Sequence, residues 1–490
     1  MEFLGHARKR APGRLPGLIA AAMFAVVTAA PPGTKAAEPD PPPTREAGLK
    51  LDEDGVAALA TGDLAKAASW FRAALALRER GVAQHPGQFA WRRDVIVSYQ
   101  RLGYVLGRTA DMPGALDAFR HALDETDRLR PEYPNDPMLA RDRYVALYGL
   151  SMIRQAGGDL VTAMQLGQEA LRQLDADTSE IAARDRMLGA TRIAHLQRLQ
   201  GDTTATLSTL QVALDRLDRL PQSQDTPWQA LRSTALLTMG EAHEERGEAE
   251  AAGMSYKAAL DSAKLVQAAG PDDPAASEQA AHALRMLGQF LTRQKRFDEA
   301  LAANQAANTI HGRLAARAPD DQQVQGELAM SFTLVGDDQR EMGRSRDALA
   351  SYSQAVDILR RLTAANPANT SIRRTLSVTL GRLAIVAAAQ GELAEALAYN
   401  RQCIETVKQL SQADSSNSLL QADMALTLVR QVLLLRQVGD GPGAEAALQD
   451  GLHIIRELVK DRPYNADWNT TLRWFEAEAA VPPGLRPLPR

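Results

Sequence analysis

The stretch GDLAKAASWFRAALALRERGVAQHPG, residues 62–87, begins with a turn, continues as one amphipathic helix and stops at a proline. Aligned on its first residue, the same punctuation falls at Gly62, Ala110, Gly158, Gly201, Gly247, Lys295, Gly343, Gly391 and Gly439. The step between neighbours is constant, forty-eight places along the chain, except for forty-three from Gly158 to Gly201 and forty-six from Gly201 to Gly247. A fixed interval of this size predicts an array in which each unit packs on its neighbours, not a chain wrapped around one centre. Glycine holds seven of the nine positions, and it is the residue that most readily takes the left-handed backbone closing a helix.

Small side chains keep the same period. Five residues after the turn stand Ala67, Ala115, Ala163, Thr206, Ala252, Ala300, Ala348, Ala396 and Ala444. Twelve after it stand Ala74, Ala122, Ala170, Ala213, Ala259, Ala307, Ala355, Cys403 and Gly451. Seven before it stand Gly55, Gly103, Ser151, Ala194, Gly240, Gly288, Gly336, Ala384 and Val432. Such positions let two antiparallel helices approach to about 8–10 Å. Composition agrees: 45% of residues are apolar but only 5% aromatic, so the core is built from Ala and Leu. The bulky Phe71, Phe119, Tyr256 and Tyr352 are predicted to fill the adjoining layer. Each unit is therefore helix, turn, helix, ending near Pro86, Pro134, Pro319, Pro367 or Pro463, each twenty-four places after its turn.

These spacings resemble the tetratricopeptide repeat, a helix-turn-helix family. The family's small positions and the aromatic between the last two coincide with Gly103, Ala115, Phe119 and Ala122. They coincide again with Gly240, Ala252, Tyr256 and Ala259, and with Gly336, Ala348, Tyr352 and Ala355. The family's closing proline belongs seven residues earlier, where Glu79, Asp127 and Arg360 stand, so longer helices are expected here. The resemblance implies an all-α, right-handed superhelical solenoid of about nine antiparallel helix-turn-helix repeats over residues 46–465, as in extended bacterial arrays. Residues 466–480, with Trp468, Leu472 and Phe475, read as a capping helix over the last apolar face, and 481–490 as a disordered tail. Residues 172–184 lack the proline turn and precede the short step. The array is expected to be least regular there, beside the poorly matching repeat of Gly201 and Thr206.

Residues 1–30 carry Arg8, Lys9, Arg10 and Arg14 before the apolar run Leu18–Ala30, the pattern of a secretory signal peptide. The run is shorter than the ~20 residues of a membrane-crossing helix; an uncleaved signal anchor is the alternative. Residues 31–45, with six prolines, form a linker. The expected location is exported and periplasmic, or membrane-anchored and facing the periplasm.

Catalytic patterns fail one by one. HEERG, His243 to Gly247, has glycine where a zinc-protease helix needs its second imidazole. The eight histidines show no pair at ligand spacing, and acidic pairs such as Asp272-Asp273 and Asp320-Asp321 sit at inter-unit loops as helix starts. GDGPG, residues 439–443, lacks a phosphate-loop lysine and falls at a turn. Cys403, the single cysteine, holds a small interhelical position, where burial would hide it. Neither a nucleophile elbow nor a kinase signature occurs. A net charge of −4 offers no basic excess for nucleic acid. The reading is therefore a non-enzyme without cofactor or metal.

In tetratricopeptide arrays the first helix of each unit lines the concave surface, where peptides or helices dock. The resemblance implies inward-facing, exposed positions at Gln100, Tyr104, Arg108, Tyr148 and Gln155. His195, Arg198, Glu241, Arg285, Gln289, Arg293, Asp337 and Arg340 continue the series. The Lys and Asn arrangement that clamps a C-terminal carboxylate is not present. The function implied is a non-catalytic protein–protein interaction scaffold of the bacterial cell envelope, binding protein or peptide segments. The alternatives are a membrane-tethered accessory of a signalling system and an envelope enzyme that uses the array to position a polymer.

Overall fold

The computed structural model describes residues 44–481, apart from 61, 110, 415, 416, 463 and 464. The expected signal segment, most of the linker, residues 482–490, Ala110 and Pro463 lie outside the described residues. Nineteen α-helices and no strand occur among the described residues. In chain order they are α1 Arg45–Ala60, α2 Leu64–Gln84, α3 Phe89–Arg108, α4 Met112–Leu129, α5 Pro137–Ala156 and α6 Leu160–Arg172. Next come α7 Glu180–Leu199, α8 Thr203–Asp218, α9 Thr226–Glu245, α10 Ala249–Ala269, α11 Pro274–Arg293 and α12 Phe297–Arg317. The last are α13 Gln322–Glu341, α14 Ser345–Ala365, α15 Thr370–Ala389, α16 Leu393–Ala413, α17 Ser418–Gln437, α18 Gly441–Asp461 and α19 Ala466–Ala480. Odd-numbered helices up to α17 are the first helices of the hairpins, and even-numbered ones are the second.

The repeated turn has one backbone geometry. Gly62, Gly158, Gly201, Gly247, Gly343, Gly391 and Gly439 all have φ between 73° and 86°, and Lys295 takes the same region at 59°. The residue after the turn is often an aspartate: Asp63, Asp159, Asp202 and Asp440 each accept a hydrogen bond from a first-turn amide of the second helix. The inter-unit junction is equally uniform. His85, Gly270, Ala318 and Asn366 end their helices with φ from −131° to −141°. Each precedes a proline, which excludes the α conformation before it. Pro271 belongs to this set, twenty-four places after Gly247.

Lys295 is the one non-glycine residue in left-handed backbone among the described residues. A side chain there costs roughly 1–2 kcal/mol. Lys295→Gly is therefore expected to stabilise the chain, by about 0.5–1 kcal/mol after glycine's extra unfolded-state freedom is deducted. A lower urea midpoint for the variant would contradict this.

The described chain divides into two compact units, residues 44–287 and 288–481, with the boundary inside α11. In the first, consecutive helices α1 to α10 pack on one another in antiparallel pairs. In the second, α12 to α19 do the same. Ala67, Ala115, Ala163, Thr206, Ala252, Ala300, Ala348 and Ala396 are all 0% exposed, as close helix approach demands. Cys403 is buried, its thiol 3.1 Å from the Ser377 hydroxyl and 3.4 Å from that of Thr427. The expected interhelical role of this position is what the structure shows.

Where a glycine stands seven residues before the turn, a larger side chain stands nine after it. Phe71 lies on Gly55, Phe119 on Gly103, Tyr256 on Gly240 and Tyr352 on Gly336. A Cβ added to any of these glycines would meet the ring at 2.5–3.0 Å. Where the first helix carries Ser151, the second carries Gly167; where it carries Val432, the partner is Leu448. Both volumes are visible in the sequence; the contact of ring on glycine is what the structure adds.

The shortened step is absorbed by one helix. α6 has 13 residues, where α10, α12, α14, α16 and α18 have 21. The following loop is held by Arg186, which donates to the carbonyls of Leu174 at 2.7 Å and Asp177 at 2.5 Å. At the far end α19 closes the stack: Phe475 is fully buried against Gly451, with Trp468 and Leu472 packed beside it. Helix α17 is long and apolar enough to cross a membrane by length and composition. In the folded chain its Leu420, Leu428, Val432 and Leu434 are buried against neighbouring helices.

Candidate partner-binding surface

The first helices present two kinds of position. One is a ladder of charge. Arg93 donates from Nε and Nη2 to the two carboxylate oxygens of Asp142, at 2.7 and 3.2 Å, a two-pronged contact. Arg45 makes the same pairing with Asp94 and Arg374 with Asp423, while Arg141 reaches Asp185 through Nε at 2.7 Å. In each case the arginine lies seventeen places before its own turn and the aspartate sixteen before the next. The signal was in the sequence: the pair Arg-Asp recurs at 93–94, 141–142 and 184–185, in step with the repeat. Asp142 and Asp185 are almost fully buried, and burial raises both carboxyls above the usual range against the pull of Arg93 and Arg141.

The other kind is an aliphatic position thirteen places before the turn. It holds Leu49, Val97, Val145, Leu188, Met330, Val378 and Leu426, in seven of the nine units. Leu49 is 48% exposed, Met330 36% and Val378 38%, and Val97, Leu188 and Leu426 are half-buried. Val145 is buried.

The thirteen residues expected on an open face divide otherwise. Gln100, Tyr104, Tyr148, Arg198 and Asp337 are buried, contrary to that expectation. Charge and polarity argue for exposure, but each of the bonded members below finds a partner in a neighbouring unit or in its own hairpin. Gln100 donates from Nε2 to the Asp142 carbonyl at 2.8 Å. Arg198 pairs with Glu241 at 3.1 Å and Glu245 at 2.6 Å. Asp337 accepts from the Tyr352 hydroxyl at 2.8 Å and pairs with Arg382 at 2.7 Å. Burial raises the pKa of Tyr104, with Arg108 beside it working the other way, and burial likewise raises that of Tyr148.

Arg108, Gln155, His195, Glu241, Arg285, Gln289 and Arg340 are half-buried, and Arg293 is exposed. The structure brings Gln155 and His195 together, Nε2 to Nε2 at 3.1 Å, and sets Arg285 Nη2 2.8 Å from His282 Nδ1. Arg340 meets Glu341 at 2.6 Å. His243, of the failed zinc motif, instead pairs with Glu248 at 2.6 Å, and Asp321 and Asp440 cap helix starts.

Residues 377–417, which span most of α15, the turn at Gly391 and all of α16, match the tetratricopeptide repeat family. That hairpin is of tetratricopeptide type, and the helices around it repeat its plan. The chain's hairpins, such as α10 and α12 with 21 residues and α11 and α13 with 20, are the longer variety that the late proline implied. Among solved structures, the apo form of RapI is 11% identical, with a TM-score of 0.50, over 79% of this chain and 97% of that one. BtubC from P. vanneervenii is 18% identical over 52% of this chain and 92% of that one, with a TM-score of 0.43. A Rap protein complexed with competence and sporulation factor is 14% identical over 86% and 100%, with a TM-score of 0.45. The likeness to RapI shows the fold alone. No curated protein matches the sequence. The tetratricopeptide-type fold is consistent with a protein-interaction scaffold.

Proposed function

We propose that this protein is a non-catalytic scaffold of the bacterial cell envelope that binds segments of partner proteins along its first helices. The observation that carries the reading is the recurring aliphatic position of the first helices, left partly open at Leu49, Val97, Leu188, Met330, Val378 and Leu426. Side chains of this kind gain free energy when a partner covers them, about 25 cal/mol per Å² of apolar surface. Ion pairs between neighbouring first helices, such as Arg93 with Asp142 and Arg141 with Asp185, hold those helices in register for docking. The described residues are taken up by hairpins and the closing helix, which supports a binding role over a catalytic one. The cationic leader with its short apolar run supports export.

Photo-crosslinking tests this directly. Benzoylphenylalanine at Leu188 or Val378 is expected to trap discrete partners in envelope preparations of the native host, whereas the same probe at Met254, on a second helix, is not. Equal yields from all three positions would count against a first-helix surface. Export is tested separately, by locating the protein in the periplasmic or membrane fraction after osmotic shock; recovery in the cytosol would overturn it.

A further inference from the structure

Four repeats carry an arginine nine residues before the turn: Arg101, Arg192, Arg382 and Arg430. They provide an internal comparison, because the same backbone position receives four different surroundings. Arg101 finds Asp52, and Arg382 finds Asp337 at 2.7 Å, in each case a carboxylate from the first helix of the preceding unit. Arg430 has no such carboxylate but is taken up by neutral acceptors, with Nε donating to Asn400 Oδ1 at 2.8 Å and Nη2 to Thr427 at 3.3 Å. For Arg192 the positions corresponding to those of Asp52 and Asp337 hold Tyr148 and Met152. Its one hydrogen bond runs from Nη2 to the Ser151 carbonyl at 2.9 Å, and its Nε is buried without a partner. Among the described residues no carboxylate pairs with it.

A guanidinium stays protonated in proteins, and a desolvated cation without a counter-charge costs stability. Burial accordingly pulls the Arg192 pKa down, with only Tyr148 opposing it. Leu188, Arg192, His195 and Leu199 follow one another at helical spacing on α7, so all four share one face. Leu188 is half-buried and Leu199 is 38% exposed. A cation short of partners therefore sits between two partly open apolar side chains.

We infer that Arg192 is the recognition point for an acidic side chain of a bound peptide segment, whose flanking apolar residues rest on Leu188 and Leu199. The carboxylate supplies to Arg192 what Asp52 and Asp337 supply to Arg101 and Arg382. This rests on the scaffold reading above and specifies the chemistry of the partner at one unit.

The test uses an array of C-terminally amidated eleven-residue peptides with mixed Leu, Ala and Ser flanks and a central Glu, Gln or Lys, plus the Gln set with a free C-terminus. The purified full chain is expected to favour central Glu over Gln by about tenfold or more, the effect of one charge-assisted hydrogen bond. Arg192→Gln should abolish that preference and melt at or above the wild-type temperature. Arg120→Gln, at an exposed position on α4, should keep it. A preference that survives Arg192→Gln, or one seen only with a free C-terminus, overturns the assignment. So does a variant that fails to fold, since the guanidinium would then be held for structure. Binding without acidic selection removes this inference and leaves the scaffold reading intact; no binding to any peptide counts against both.

Discussion

Phe119→Ala is expected to cost about 3–5 kcal/mol of stability, the range for emptying a full aromatic site in a packed core. The ring is 2% exposed and lies against Gly103 of its own hairpin and Gly149 of the next, where an added Cβ would meet it at 3.0 and 2.4 Å. Neither glycine has a side chain that can move into the space, so collapse around the cavity is limited to backbone shifts. Both contacts also join separate helices, which means one truncation loosens α3, α4 and α5 together. A control at Met254, 66% exposed on α10, should stay within about 0.5 kcal/mol when truncated. Because repeat arrays can unfold in parts, hydrogen exchange resolved to α3–α5 is the better measurement than a single melt. Unchanged protection in those helices would mean that the ring is not the wedge described here.

Arg93→Met should be as damaging, and its damage should depend on pH. Asp142 is 3% exposed and receives both prongs of Arg93. Removing the cation leaves a buried carboxylate with only the more distant pull of Arg141, a loss of about 3–5 kcal/mol at neutral pH. Burial already raises the Asp142 pKa above the ordinary carboxylate value. The folded chain therefore holds that proton more tightly than the unfolded chain does. Its contribution to stability is fully present below the ordinary value and is lost as pH rises through the folded one. Without Arg93 the folded pKa moves higher still, so the variant should recover part of its loss on acidification from pH 7 towards the carboxylate range. The double variant Arg93→Met/Asp142→Leu should regain most of the loss at pH 7, because an apolar pair can replace a buried ion pair. Urea titrations at two pH values decide the matter: a deficit independent of pH would show that Arg93 acts through packing alone.

Much of the architecture is legible in the amino-acid sequence. Of the turns read from Gly62 to Gly439, all that lie among the described residues take left-handed backbone, and even Lys295, identified by interval alone, adopts it. Ala115, Ala252 and Ala348 are sealed between helices as their spacing required. The reason is physical: a turn and a small interhelical residue are local requirements, expressed within one hairpin.

The charged face is less legible. An unpaired charge cannot be buried, which argues for Arg198 and Asp337 in the open, yet both are paired. Arg93 meets a residue 49 positions away. A repeat length shows that two such residues occupy neighbouring registers, but the reach of a long side chain across that gap is not written in the period. Only the recurrence of Arg-Asp at 93–94, 141–142 and 184–185 foreshadowed it.

The ladder also bears on how such a chain tolerates change in length. Arg141 still grips Asp185 across the shortened step because the missing residues were removed from α6 and its loop, outside the first-helix register. Loss of one whole hairpin within the run that carries Arg-Asp at 93–94, 141–142 and 184–185 would hand the preceding arginine another aspartate, whereas an insertion within a first helix would break the pairing there. Heredity can therefore shorten a second helix beyond its packed turns, as in α6, and count the first ones only in whole numbers.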